Sequence, residues 1–99
     1  MRIIVTGATK GIGRAITEIF ATKGFDVAIC ARDESELKKL EGQLKSNYPD
    51  IEVIAVAADM SVKADVLRFA HVVSNRWENA EVLVNNAGLF LPGDVTTEE

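Results

Sequence analysis

The chain has 99 residues, of which 47% are hydrophobic and 26% are charged, and this composition suits a single domain with one modest core. A formal net charge of −4 argues against a nucleic-acid surface, because proteins that bind nucleic acids usually carry a net basic face. One cysteine and one histidine exclude a zinc or iron site built within the chain, and no apolar stretch approaches the ~20 residues of a membrane-spanning helix. We therefore expect a cytoplasmic protein with neither nucleic acid nor membrane as a partner.

Strand-like and helix-like segments alternate along the chain. We predict strands near 2–6, 26–31, 52–57 and 81–85, and helices near 12–23, 34–47 and 62–77. The strand segments are continuously apolar rather than alternating, which is typical of strands buried on both faces. The resulting βαβαβαβ order predicts an α/β fold with a parallel sheet and helices on both of its faces.

The predicted helices carry apolar residues at three- and four-residue steps. These are Ile12, Ala15, Ile16 and Ile19 in the first helix, Leu37, Leu40 and Leu44 in the second, and Val62, Val66, Phe69, Val73 and Trp77 in the third. We interpret the stripes of the second and third helices as core. Gly24 is placed for a C-terminal left-handed cap, Asp33 with Glu36 resembles a capping box, and Ser61 is a candidate N-cap.

Two side chains with potential metal or redox chemistry have simpler structural interpretations. Cys30 lies inside an apolar strand segment, so we expect a buried core residue rather than a redox or metal residue. His71 falls in the third predicted helix, where we expect it at the surface.

Three glycines lie in the turn between the first strand and the first helix, in the segment Thr-Gly-Ala-Thr-Lys-Gly-Ile-Gly at 6–13. Backbone without Cβ atoms can approach a pyrophosphate closely, and the helix that follows directs unpaired N–H groups and its positive dipole end at the anion. A strand, this turn, a helix and a second strand predict a dinucleotide site. A tight turn without a ligand is the alternative.

Two motifs in this order resemble the classical short-chain dehydrogenases/reductases, over essentially all 99 residues. They are Thr-Gly-x-x-x-Gly-x-Gly at 6–13 and Asn-Asn-Ala-Gly at 85–88, directly after the fourth strand. The resemblance implies a partial Rossmann-type doubly wound sheet of four strands in the order 3-2-1-4. The cofactor-binding residues that it implies in the two motifs are Gly7, Thr9, Lys10, Gly11, Ile12, Gly13, Asn86, Ala87 and Gly88.

The resemblance also places Asp59, followed by the apolar Met60, at the adenine of the cofactor. A solvated aspartate at the entry to the third helix is the alternative. 

The end of the second strand points to the type of cofactor. NAD-selective sites usually place a carboxylate there for the ribose 2′-hydroxyl, and this chain has Ala31 instead. Arg32 follows, and Lys10 in the glycine turn can reach the same group, so we predict NADP(H) in preference to NAD(H). Solvated surface charges are the alternative for both cations, and Asp33 could either neutralise Arg32 or cap the helix.

No catalytic residue is assigned within the 99 residues. The family's Tyr-x-x-x-Lys pair and serine lie in the second half of its fold, and here the only tyrosine, Tyr48, is followed four residues later by Glu52. We expect Tyr48 to be structural, and the serines 35, 46, 61 and 74 to lie at caps or on helices.

We therefore expect residues 1–99 to be the N-terminal dinucleotide-binding half of one truncated domain that is inactive alone. The spacing of Thr96 and Glu99 suggests a helix that begins where the chain stops. The resemblance implies a parent dimer or tetramer that transfers a hydride between NADP(H) and a small carbonyl or alcohol substrate. The alternatives are a non-catalytic NADP(H)-binding regulatory module, and a fragment that associates through its exposed sheet edge.

Overall fold

The computed structural model describes residues 1–86. Strands β1 (Arg2–Thr6), β2 (Asp26–Ala31), β3 (Val53–Ala57) and β4 (Val82–Asn85) alternate with helices α1 (Gly11–Thr22), α2 (Glu34–Asn47) and α3 (Lys63–Arg76). The strands form one parallel sheet in the order β3-β2-β1-β4, and every predicted element is confirmed to within one residue at each end. The predicted residues Ala87 and Gly88 and the helix signal at 96–99 lie outside the described residues.

The strand register brings the carboxyl ends of all four strands to one edge of the sheet. Thr6 at the end of β1 lies beside Cys30 of β2 on one side and Asn85 of β4 on the other. On the far side of β2, Ala31 pairs with Ala57 of β3. The loops that follow the strands therefore meet along a single edge, where ligands bind in open α/β sheets.

Two apolar clusters fill the space between the sheet and its helices. One contains Ile3, Val5, Val27 and Ile29 of the sheet together with Ala21 of α1 and Leu37, Leu40 and Leu44 of α2. The other contains Ala28, Cys30, Ile54 and Val56 of the sheet together with Phe69 and Val73 of α3 and Trp77 after it. Helices α1 and α2 thus cover one face and α3 the other, and the predicted core stripe of α2 is confirmed.

Three side chains occupy the structural places predicted for them. Cys30 is fully buried, and desolvation raises the pKa of its thiol to about 11, so the thiol is neutral and inert at pH 7. His71 is exposed on α3. Tyr48 packs against the core beside α1, and its hydroxyl lies 3.0 Å from the Thr22 hydroxyl.

Helix α1 faces the sheet mainly with small residues, and only one of its three isoleucines packs against the core. Gly13, Thr17 and Ala21, spaced four residues apart, are the buried positions of α1. Ile16 packs against the core as its spacing predicts, whereas Ile12 is 69% exposed and Ile19 53% exposed. The spacing of these apolar residues therefore marks a helix but does not identify the face of α1 that packs on the sheet.

A close contact at the start of α1 explains which residues of the helix face the sheet. A Cβ atom on Gly13 would overlap the carbonyl oxygen of Gly7 and lie 2.6 Å from Asn86 Nδ2, so only glycine fits there. With Gly13 held against the glycine turn, the positions four and eight residues later also face the sheet. The Thr17 hydroxyl is buried at the first of these two positions, and it is satisfied by donating to the Gly13 carbonyl at 2.8 Å.

The start of α3 corrects two predictions. Val62, not Ser61, is the N-cap of α3, and its side chain makes no capping bond. The Ser61 backbone N–H and hydroxyl instead donate to Asp59 Oδ1. Val62 is 43% exposed and so does not belong to the buried stripe. The buried residues of α3 are Phe69 and Val73.

The predicted cap at Gly24 is confirmed. Gly24 has φ 87°, its N–H donates to Ala21 O at 3.0 Å, and the next N–H, from Phe25, donates to Phe20 O at 3.0 Å. These two bonds are those of the Schellman motif. The rings of Phe20 and Phe25 complete it with an edge-to-face contact whose centroids are 4.8 Å apart.

Two glycine-to-alanine substitutions should change stability in opposite directions. Gly24→Ala forces a Cβ into the left-handed region and should lower the free energy of unfolding by about 1 kcal/mol. Gly42→Ala, inside α2 with no atom within 4 Å of the new Cβ, should raise it by about 0.5–1 kcal/mol. Urea unfolding followed by circular dichroism measures both, and equal shifts of the same sign would contradict the cap.

Gly13→Ala should cost more, because its Cβ overlaps the backbone carbonyl of Gly7, which cannot swing aside as the end of a flexible side chain can. We expect the free energy of unfolding to fall by about 1–3 kcal/mol as α1 is forced away from the glycine turn. The same urea series measures it, with Gly42→Ala as the matched control. A Gly13→Ala protein as stable as the parent would show that the close contact does not exist.

Candidate functional site

An open cleft of about 620 Å³ runs along the edge where the strands end. Of the predicted cofactor residues, the following line it: Gly7, Thr9, Lys10, Ala31, Arg32, Asp59, Met60 and Asn86. They come from the loops after all four strands, and the parallel register is what brings them together. The remaining lining residues, Asp33, Ala58 and Ser61, were not predicted.

Gly11, Ile12 and Gly13 were predicted with this group but do not line the cleft with their side chains. They form the first turn of α1, directly after Lys10, which is its N-cap and a lining residue. The first hydrogen bond within the helix runs from Arg14 N to Lys10 O, at 3.3 Å. The three preceding N–H groups therefore have no partner within the helix, and they lie at its positive end.

Hydrogen bonds connect the glycine turn to the end of β4. The Thr6 hydroxyl donates to Asn85 Oδ1 at 2.9 Å and accepts the backbone N–H of Asn86 at 2.9 Å. Asn86 Nδ2 in turn lies 3.4 Å from the carbonyl oxygen of Gly7, which it faces as a donor. The first residues of the two sequence motifs are thus hydrogen-bonded to each other. These bonds hold the glycine turn in place without a ligand.

Two cationic residues, Lys10 and Arg32, line the cleft. Lys10 and Arg32 are exposed, and none of the ion pairs among residues 1–86 involves either of them. Asp33 uses its carboxylate as a helix cap, since Oδ1 accepts the backbone N–H of Glu36 at 3.1 Å. Of the two alternatives for Asp33, the structure confirms the helix cap. The positive charge of Arg32 therefore remains available to a ligand.

Asp59 adds a negative charge to the lining of the cleft. The Ser61 hydroxyl and backbone N–H, with a smaller contribution from the Arg32 charge, hold the pKa of this carboxyl below its usual range. The group is therefore ionised at neutral pH and acts only as a hydrogen-bond acceptor.

The missed lining residues had weak sequence signals. Ala58 directly extends the apolar run of β3, and its N–H continues the ladder by donating to Ala31 O at 3.0 Å. Asp33 was recognised as a cap, and only the three-dimensional proximity of the β2 and β3 ends adds it to the cleft. Ser61 was assigned to the helix that follows it, so its bond to Asp59 was not foreseen.

The described part of the chain contains neither a metal-binding cluster nor a membrane-spanning helix. Among residues 1–86, no group of three or more His, Cys, Asp or Glu side chains is arranged to hold a metal ion. No helix within that range has the length and apolar character to cross a membrane.

Comparison with known proteins identifies the fold and the family. The sequence profile of the short chain dehydrogenases matches residues 1–99. The oxidoreductase YxnA of Bacillus subtilis is 37% identical over 98% of this chain and 28% of its own length. The chain spans between 28% and 39% of the length of the curated relatives that it matches.

Solved structures agree with this assignment. An NADPH-bound short chain oxidoreductase from Pseudomonas aeruginosa superposes with a TM-score of 0.83 at 35% identity, over 89% of this chain and 34% of that one. The L-sorbose reductase of Gluconobacter frateurii, complexed with NADPH and L-sorbose, gives a TM-score of 0.82 at 30% identity, over 99% of this chain and 37% of that one. This chain, with its Rossmann-type sheet, its glycine turn and its Asn-Asn-Ala-Gly motif, belongs to the short-chain dehydrogenase/reductase family of oxidoreductases.

Proposed function

We propose that residues 1–99 are the NADP(H)-binding part of a short-chain dehydrogenase/reductase, and that the cleft takes the adenosine and pyrophosphate end of the cofactor. The observation that carries the proposal is the pair of cations, Lys10 and Arg32, which border the cleft without an ion-pair partner among residues 1–86. Ala31, where NAD-selective relatives of this fold place an acid, leaves no carboxylate at the strand end itself.

The backbone at the start of α1 suits the pyrophosphate. The N–H groups of Gly11, Ile12 and Gly13 have no helical partner, and the helix dipole favours negative charge at this end. Gly11, with φ 54°, turns the chain into the helix, and no atom occupies the space within 4 Å where its Cβ would stand. A phosphate can therefore approach the backbone closely at this point.

The two cations suit a 2′-phosphate on the adenine ribose. Arg32 presents a planar fork of donors that matches phosphate geometry, and Lys10 adds a second charge from the glycine turn. NADPH is bound in both solved structures described above, which supports the same cofactor for this chain. Asn86, directly after β4, lines the cleft, and the family resemblance adds Ala87 and Gly88, which lie outside the described residues.

The proposed reaction of the whole protein is hydride transfer between NADP(H) and a carbonyl or alcohol substrate. The bound cofactor would donate a hydride to a carbonyl in its reduced form or accept one from an alcohol in its oxidised form, and residues 1–99 would hold and orient its adenosine end. The single tyrosine of the 99 residues, Tyr48, has its hydroxyl beside that of Thr22 and is not among the residues that line the cleft, so this part alone should not turn over. The family resemblance implies a Tyr-x-x-x-Lys pair further on in a longer chain.

Several finer points stay predictions. They are the cytoplasmic location, the absence of nucleic-acid and membrane partners, and a homodimer or homotetramer. The alternative of a non-catalytic NADP(H)-binding module uses the same cleft. The alternative of association through the sheet edge finds support in β4, which is the last strand of the described sheet and carries Leu83, 68% exposed.

Fluorescence titration with NADPH and with NADH tests the proposed cofactor. Since each charge-assisted hydrogen bond contributes roughly 1.5–3 kcal/mol, two of them should favour NADPH by on the order of a hundredfold. Arg32→Ala should lower the affinity for NADPH, and thus the preference for it, by at least about tenfold, and it should leave the affinity for NADH unchanged.

Lys38→Ala is the matched control, because it removes an exposed cation of α2 that does not line the cleft. Its dissociation constants should equal those of the parent. Equal affinity of the parent for NADPH and NADH would contradict the 2′-phosphate site. Failure of the folded protein to bind either dinucleotide would contradict the proposed function as a whole.

A further inference from the structure

The order of the strands fixes the order in which a bound dinucleotide would meet the loops. The pyrophosphate site lies after β1, and the cations for the ribose lie at the turn after β1 and the end of β2. Because β3 is the next strand outward, the base attached to that ribose reaches the loop after β3. Asp59, Met60 and Ser61 line the cleft there. This step rests on the proposed function.

Two donors hold the Asp59 carboxylate by the same oxygen. The backbone N–H of Ser61 donates to Oδ1 at 2.9 Å, and the Ser61 hydroxyl donates to Oδ1 at 2.6 Å. No hydrogen bond to Oδ2 is formed within residues 1–86. The carboxylate is thus fixed in one rotamer, while its second oxygen keeps its full capacity to accept a hydrogen bond from a ligand.

Helix α3 holds the backbone of the same loop. The N–H of Asp59 donates to Asp65 Oδ2 at 2.8 Å, and the other oxygen of Asp65 lies 3.5 Å from Arg68 Nη2. Arg68 Nη2 also donates to the carbonyl oxygen of Ala57, at 2.7 Å. The side chains of Asp65 and Arg68 therefore hold the loop to α3 on both sides of Ala58.

We propose that Ser61 and Asp65 are positioning residues that hold Asp59 for a hydrogen bond from the exocyclic amino group of the bound base. A carboxylate accepts hydrogen bonds and cannot donate them, so it attracts the 6-amino group of adenine and repels the 6-oxo group of a hypoxanthine. The pair thereby makes the cleft selective for the base, independently of the selectivity for the 2′-phosphate that Arg32 and Lys10 provide.

A purely structural role for Asp65 is the competing explanation, because an acid in the first turn of a helix also stabilises that helix. The two explanations differ in one observable. Loss of a structural contact weakens binding of every dinucleotide alike, whereas loss of a positioning contact weakens discrimination between bases.

The test compares the dissociation constants of NADPH and of its hypoxanthine analogue, the deaminated dinucleotide. The parent protein should prefer NADPH by about tenfold, the contribution of one hydrogen bond to a charged group. Ser61→Ala should reduce that preference at least about threefold, since one of the two donors to Asp59 is lost. Ser61→Thr, which retains a hydroxyl, should keep the preference of the parent.

Asp65 supplies a second, independent pair of variants. Asp65→Ala removes the acceptor for the Asp59 N–H and should also reduce the preference, while Asp65→Asn retains an acceptor and should preserve it. Ser74→Ala is the matched control on α3, because that hydroxyl donates to the His71 carbonyl and does not line the cleft. Thermal unfolding confirms that each variant is folded before it is titrated.

The outcomes separate this inference from the proposed function. A Ser61→Ala protein that loses affinity for both dinucleotides by the same factor would overturn the positioning role. A parent protein that binds NADPH and the hypoxanthine analogue equally well would overturn it too, with the cofactor site intact. A parent protein that binds neither would contradict the proposed function instead.

Discussion

The backbone contact between Gly13 and the glycine turn is the constraint on which the rest of the structure depends. Gly13 lies so close to the Gly7 carbonyl and the Asn86 amide that no Cβ fits between them. The contact joins the loop after β1, the first turn of α1 and the end of β4 at one point. Because Gly13 is held beside the Gly7 carbonyl and Asn86, the first turn of α1 stays next to the cleft. The N–H groups of that turn have no partner within the helix.

The same contact decides how α1 packs. A helix pressed against the sheet at Gly13 also faces it with Thr17 and Ala21, one turn and two turns later, so its larger apolar residues divide between the core and the surface. The site and the core are therefore coupled, since a change that moved α1 to bury Ile12 would displace the start of the helix. The hydrogen bonds of Thr6 to Asn85 and Asn86 support the arrangement from the side of the sheet.

The sequence predicted the elements well because the signals were local. Continuous apolar runs identified the strands, and the glycine at position 24 and the aspartate at position 33 marked helix ends that the structure confirms. The errors came from tertiary proximity. Helical spacing could not show that Gly13 and Thr17 would face the sheet while Ile12 and Ile19 stay exposed. Nor could it show that Ser61 would turn back to Asp59, because the competing cap position lies one residue away. Residues from separate strand ends, such as Asp33 and Ala58, join the cleft only through the parallel register.

The central claim is that the cleft holds NADP(H) by its adenosine end, with the 2′-phosphate on Arg32 and Lys10. A crystal structure of the protein with NADPH tests it most directly. We expect pyrophosphate oxygens within hydrogen-bond distance of the backbone N–H groups of residues 11–13. We also expect the 2′-phosphate on the Arg32 guanidinium and the base beside Asp59. A cofactor whose 2′-phosphate touches neither cation, or whose pyrophosphate lies away from the start of α1, would contradict it.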